Sequence, residues 1–181
     1  MTTTSTSPAR SPDPDPCAGR ARVSRAQDAA IFVVSLLAVG VVSWVGSRWT
    51  DTGSGSWYDR LDTPSWNPPG VTFGIVWTIL YFLMAVAAWQ VARRWRDRPG
   101  VAVAVALYAV QLLCNLAWTG LFFGLERPGW ALAEQIVLLG LVAATIVAFA
   151  RVSRLAAVLL VPYLAWVGFA VTLNAAIVAA N

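Results

Sequence analysis

Trp77 and Trp166 are the residues from which a function can be argued, because each stands inside a segment that carries no charge. Around them the sequence sets few polar side chains. Gln111, Asn115 and Trp118 follow at spacings of four and three, which puts two amides and an indole on one face of a helix. Pro162, Trp166, Ala170 and Asn174 follow at successive steps of four, again as one face. Groups of these types can stack on a flat ring and hydrogen-bond its edge. Ordinary acid–base or metal chemistry lacks its parts, since the chain has no histidine, no carboxylate pair and no metal-spaced cluster.

What must position these side chains is legible in the composition. Of 181 residues, 58% are hydrophobic and 12% charged, whereas charged residues alone reach roughly a quarter of a soluble domain. The chain is therefore read as an integral membrane protein. Its 13 basic residues are all arginine and give a net charge of +4. They lie at chain ends and short connections rather than along one face, so the charge reports membrane topology and no nucleic-acid partner is expected. Cys17 and Cys114 form no spaced pair, and neither a disulfide nor a zinc site is inferred. Without histidine the usual proximal haem ligand is excluded, so a tetrapyrrole here would be held by shape, stacking and hydrogen bonds, or through a weak ligand.

Residues 1–26 are rich in Ser, Thr, Pro, Asp and Arg and read as a disordered tail. Residues 27–181 read as an all-α domain with five transmembrane helices, at about 29–47, 71–92, 101–125, 128–150 and 155–180. The first apolar run exceeds a signal-peptide core and lacks a small-residue cleavage context beside Trp44 and Trp49, so it is taken as a span. Pro68 and Pro69 punctuate the start of the second, since proline at a first helical position loses no bond the helix would make. Arginine concentrates on the side of the N-terminus, in the 93–98 turn and at Arg151 and Arg154, against only Arg48, Arg60 and Arg127 opposite. The positive-inside rule then puts the N-terminus in the cytoplasm, and the C-terminus and the 48–67 loop outside. That loop, with Trp49, Trp57, Tyr58 and Trp66, is either a lid or an interfacial aromatic belt.

Helical rise converts position into depth. Trp77 lies roughly 13 Å below the outer end of its helix and Trp166 roughly 16 Å above the inner end of its own. Both are near the middle of the bilayer, where an aromatic belt does not account for them. Gln111, Asn115, Asn174 and Glu134 point to a bundle interior, because facing lipid unpaired is costly. Singly, such amides serve more often as glue between helices, worth about 1 kcal/mol or less per pair, than as ligand contacts. Together with two deep indoles and an aromatic loop they describe a flat-walled, mildly polar pocket open to the outside, suited to a large planar apolar molecule. Pro162 should free the carbonyl of Val158 and kink or loosen its helix.

The stretches WYDRLDTPSWNPPG with GIVWTILY, LYAVQLLCNLAWTGLFFG, GWALAE and VPYLAWVGFAVTLN, in that order, resemble the TspO/MBR family of tryptophan-rich sensory and translocator proteins. The resemblance covers all but the first helix and the tail. It implies a five-helix bundle, commonly a homodimer, that binds porphyrins such as protoporphyrin IX and haem as ligands and requires no cofactor; this chain itself is expected in the plasma membrane. It also implies pocket positions at Tyr58, Trp66, Pro68, Trp77, Tyr81, Gln111, Asn115, Trp118, Trp166, Ala170 and Leu173, to which depth adds Asn174. Family members that degrade porphyrin in light depend on two tryptophans that match Trp77 and Trp166. The sterol-recognition segment of the mitochondrial members, a tyrosine and then an arginine after the last Asn, is missing, since Asn174 is followed by AAIVAAN. The functional expectation is a membrane tetrapyrrole sensor or transporter. The alternatives are a light- or oxygen-dependent porphyrin-degrading enzyme using Trp77 and Trp166, or a regulatory partner acting through Ala- and Gly-rich faces such as Gly120, Gly124, Ala143 and Ala144.

Overall fold

A computed structural model describes residues 24–181. Five helices, α1 (Arg25–Trp49), α2 (Gly70–Ala92), α3 (Val101–Thr119), α4 (Pro128–Val152) and α5 (Arg154–Ala180), account for most of them. Each is long and apolar enough to cross a membrane. Their outward faces are rows of bare hydrocarbon, with Val34, Leu37 and Val41 on α1 and Ile75, Ile79 and Phe82 on α2. In water such rows would be a liability; in a bilayer they are the expected solvent face. The protein is an all-α integral membrane bundle of five spanning helices.

Local chemistry sets where the helices begin and end. Ser24 Oγ accepts from the Gln27 amide at 3.2 Å, and Gln27 Oε1 accepts from the Ser24 amide at 3.3 Å. This reciprocal cap satisfies two donors at once and starts α1 at Arg25, inside the segment read as tail. The remainder of that tail reading, with Cys17, lies outside the described residues. The proline pair does mark the start of α2, but Pro69 is its N-cap and Gly70 its first residue, so neither proline takes the first helical position. The third span does not run to Leu125 as a uniform α-helix. After Thr119 it widens into a π-helical turn, Gly120–Gly124, with the Leu125 amide donating to the Gly120 carbonyl at 2.8 Å. The glycines at either end admit Trp49 of α1, since a Cβ on Gly120 would lie 3.4 Å from Trp49 Cζ3. Trp49 thus closes α1 against α3 instead of belonging to the loop.

The helices pack as a ring, α1 on α2, α2 on α5, α5 on α4, α4 on α3, with α3 returning to α1. One end is rich in arginine, with the α2–α3 and α4–α5 turns; the other carries the long α1–α2 connection. Toward the arginine-rich end the ring is filled by small residues, Ala85, Ala88, Ala104, Ala156 and Ala157, and by Met84, Tyr108 and Phe149. Tyr108 and Phe149 stack there with ring centroids 5.8 Å apart. Small side chains let the backbones approach closely, which is how helices associate when lipid removes the hydrophobic drive. Toward the loop end the residues facing inward are larger and flatter, and the ring stays open.

Candidate ligand-binding site

The open end of the ring encloses a cavity of about 700 Å³, within the range of small-molecule sites. α2 lines it with Phe73, Trp77 and Tyr81, successive residues of one row. Trp77 packs on Tyr81 at 5.2 Å and edge-on to Tyr163 of α5 at 6.2 Å. The Tyr81 hydroxyl donates to Asn115 Oδ1 at 2.9 Å. With its oxygen so occupied, the Asn115 amide keeps its NH₂ as a donor for other partners.

α3 adds Asn115, Trp118 and Thr119, and the π-helical turn adds Phe122 and Phe123. The extra residue in that turn swings both phenylalanines toward the centre. Trp118 stacks on Phe122 at 5.2 Å, Phe123 stands edge-on to Phe122 at 4.9 Å, and Tyr58 of the loop leans on both. Pairs of this kind contribute roughly 0.5–1.5 kcal/mol each beyond the area they bury. They make the loop-end wall rigid.

α5 supplies Trp166, Ala170, Leu173 and Asn174. Trp166 packs against Phe73 at 5.6 Å and Phe169 at 5.3 Å. The two deep tryptophans are not a stacked pair: Trp77 is set among tyrosines, and Trp166 meets α2 one turn closer to the loop. The Asn174 amide, turned so that its nitrogen meets an acceptor, donates to the Pro128 carbonyl at 3.2 Å and accepts from the Leu132 amide at 3.1 Å. These two bonds replace a single 3.4 Å contact with Gln135. Asn174 is thus both cavity wall and glue between α5 and the first turn of α4.

Ten of the twelve residues expected at the site, Tyr58, Pro68, Trp77, Tyr81, Asn115, Trp118, Trp166, Ala170, Leu173 and Asn174, line this one cavity. Trp66 and Gln111 do not. Trp66 is half exposed and turns its edge to Phe169 at 5.8 Å, on the flank of the bundle. Gln111 is buried beneath the floor, where its Oε1 accepts from the Tyr163 hydroxyl at 3.0 Å. Its Nε2, like the nearby Tyr108 hydroxyl, is buried without a partner among the described residues. Glu134 also misses the cavity: it sits between α3 and α4, both carboxyl oxygens buried, with the Cys114 thiol as its polar neighbour among the described residues. Pro162 lies on the exposed side of α5, which continues through it as helix. The four-step row from Pro162 to Asn174 drifts by about 40° per step, because 3.6 residues complete a turn. Three such steps take it from the lipid side to the interior.

Several lining residues were not signalled. Ser43, Gly46 and Ser47 of α1 and Thr50 just past its end line one side, together with Asn67, Gln135 and Leu138. The small and hydroxyl residues of α1 recur at steps of three and four, a pattern shared by plain helix packing, so spacing alone could not pick them out. Asn67 Nδ2 donates to the Tyr58 hydroxyl at 2.9 Å, holding the two loop residues at the rim. A second tie fastens the loop to the end of α5: the Asp62 amide donates to Asn181 Oδ1 at 3.0 Å, and Asn181 Nδ2 donates to the Asp62 carbonyl at 3.1 Å.

No lining side chain is charged, and eight are aromatic. Among the described residues no group of three His, Cys, Asp or Glu side chains could hold a metal ion. The arrangement can sandwich a flat, apolar molecule and offer neutral hydrogen bonds to its edge.

Residues 32–179 match the model of the TspO/MBR family. The chain is 41% identical over 152 residues to the tryptophan-rich protein TspO of Chlorobaculum tepidum, covering 84% of this chain and 94% of that protein. It is 43% identical over 147 residues to the tryptophan-rich sensory protein of Cereibacter sphaeroides, with coverage of 81% and 89%. It is 42% identical over 142 residues to the translocator protein of Homo sapiens, with coverage of 76% and 82%.

Proposed function

The chain belongs to the TspO/MBR family, and from that premise we propose that it is a membrane sensor or transporter for a tetrapyrrole such as protoporphyrin IX or haem. The observation that carries this reading is the cavity itself: about 700 Å³, eight aromatic side chains and no charge. A porphyrin offers two broad π faces, which aromatic walls can stack upon, and a rim with few polar groups. Its carboxylates find no cation among the lining residues, so the polar edge belongs at the mouth, beside Ser47, Thr50, Thr52 and Asn67, and the apolar edge belongs on Trp77 and Tyr81. The loop between α1 and α2, held down by Tyr58 against Phe122 and Phe123 and by the Asp62–Asn181 tie, acts as the cover. Ligand exchange requires that cover to move.

This reading includes a homodimer in the plasma membrane, with the arginine-rich end in the cytoplasm and the cavity mouth outside. The family membership and the distribution of arginine support it. A second reading, light- or oxygen-dependent breakdown of the porphyrin, is favoured by Trp77 and Trp166 both lining the cavity, where each could donate an electron to a bound, excited ring. Titrating the purified protein with protoporphyrin IX while following tryptophan fluorescence tests the first reading: saturable quenching is expected, and its absence contradicts it. Loss of the porphyrin absorption band on illumination, faster than for free porphyrin, distinguishes the second.

A further inference from the structure

The end of the bundle remote from the cavity carries a different chemistry. Among the described residues, Arg25, Arg93, Arg94, Arg96, Arg98, Arg151 and Arg154 gather there with only two carboxylates, Asp28 and Asp97. Asp28 is already engaged: its Oδ1 lies 3.2 Å from Arg93 Nε and accepts from Trp89 Nε1 at 3.0 Å. The Arg93 guanidinium also lies over the Trp89 ring at 4.5 Å. That is the one ion pair among the described residues, so the other arginines have no carboxylate partner there.

One hydrogen bond brings several of them to a single corner. Arg94 Nη1 donates to the Val152 carbonyl at 2.8 Å, joining the end of α2 to the turn between α4 and α5. Arg151 and Arg154 flank that turn and are both exposed. In the same α2–α3 turn as Arg94, Arg96 lies 4.7 Å over the ring of Trp95, which is itself exposed. The opposite end of the bundle differs: Arg48, Arg60 and Arg127 are outnumbered there by Asp51, Asp59, Asp62 and Glu126. Unpaired guanidinium groups where the helices leave the hydrocarbon, with a tryptophan at the same level, complement a phosphate carrying no cation of its own. A zwitterionic headgroup would bring an ammonium into the same field.

We propose that this corner binds the headgroup of an anionic phospholipid, with the phosphodiester between Arg94, Arg151 and Arg154, and Trp95 and Arg96 at its edge. Guanidinium suits this role because its planar donors can pair two phosphate oxygens at once, and Arg94 is oriented in advance by its bond to Val152. The site is independent of the cavity and of its ligand.

The test uses the full chain released from nanodiscs containing equal amounts of phosphatidylglycerol and phosphatidylcholine, with retained lipid counted by native mass spectrometry. The wild type is expected to retain phosphatidylglycerol over phosphatidylcholine by about fivefold or more. Arg151→Gln with Arg154→Gln should bring that ratio close to one, while Arg60→Gln with Arg127→Gln leaves it unchanged. Among the described residues neither Arg151 nor Arg154 pairs with a carboxylate, so the bundle should fold in both variants, which helical circular dichroism verifies. An Arg96→Gln variant, at the edge of the site, should lower the ratio by a smaller factor. No preference in the wild type, a preference that survives Arg151→Gln with Arg154→Gln, or an equal fall in the pair at the opposite end would overturn the proposal.

Discussion

The Tyr81 hydroxyl donates to Asn115 Oδ1 at 2.9 Å, tying α2 to α3 at the floor of the cavity. Tyr81→Phe removes the donor and leaves a buried amide oxygen to find another. The expected cost is about 1–2 kcal/mol, near the upper end for hydrogen bonds within a membrane. Thermal unfolding in detergent should show it, and porphyrin affinity should fall as well, because the Asn115 amide is then free to rotate away from the cavity.

Gln111 separates a structural amide from a ligand contact. Its bond with Tyr163 lies below the floor, so Gln111→Leu should lower unfolding stability by about 1–3 kcal/mol through the orphaned Tyr163 hydroxyl. Porphyrin affinity should stay within about twofold, well under the 1.4 kcal/mol that a tenfold change represents. A loss of affinity matching that of Asn115→Leu, with stability unchanged, would place Gln111 in the cavity after all.

The two aromatic residues of the loop should behave differently. Tyr58 lines the cavity and holds Asn67, whereas Trp66 sits on the flank against Phe169. Tyr58→Ala is expected to weaken porphyrin binding by about tenfold or more, the scale of one lost stacking partner, and Trp66→Ala to change it little. Titrations of the two variants side by side decide this.

The paired hydrogen bonds between Asp62 and Asn181 fasten the loop to α5. Asn181→Ala removes both and should loosen the cover without disturbing the helices. Amide exchange at Asp62 should accelerate, and porphyrin should dissociate faster with little change in thermal stability. Unaltered exchange and dissociation would mean that the loop is held elsewhere.

Much of this molecule is written in simple periodicities. Five apolar runs of spanning length, a proline pair before Gly70 and the deep indoles of Trp77 and Trp166 announce the bundle and the height of its cavity. What remained hidden depended on the azimuth of a side chain rather than its depth. Pro162 shares a four-residue row with Asn174 yet faces outward, because the row winds round the helix. Gln111 sits one turn from Asn115 and is claimed by Tyr163. Phe122 and Phe123 reach the cavity only because the chain widens between Gly120 and Gly124, a change that helical spacing cannot foretell. Ser43 and Ser47 look like packing residues until α1 is placed beside the opening.

The measurement that bears most directly on the account is a tryptophan-fluorescence titration with protoporphyrin IX on the wild type and on Ala170→Phe, a substitution that fills the cavity from α5. Circular dichroism and thermal unfolding of the variant establish that the bundle is intact. The wild type should be quenched saturably, and the variant should need at least about tenfold more porphyrin for the same quenching, a difference of 1.4 kcal/mol or more. Superimposable curves from the two folded proteins, or no saturable quenching in the wild type, would contradict the assignment of this cavity as the tetrapyrrole site.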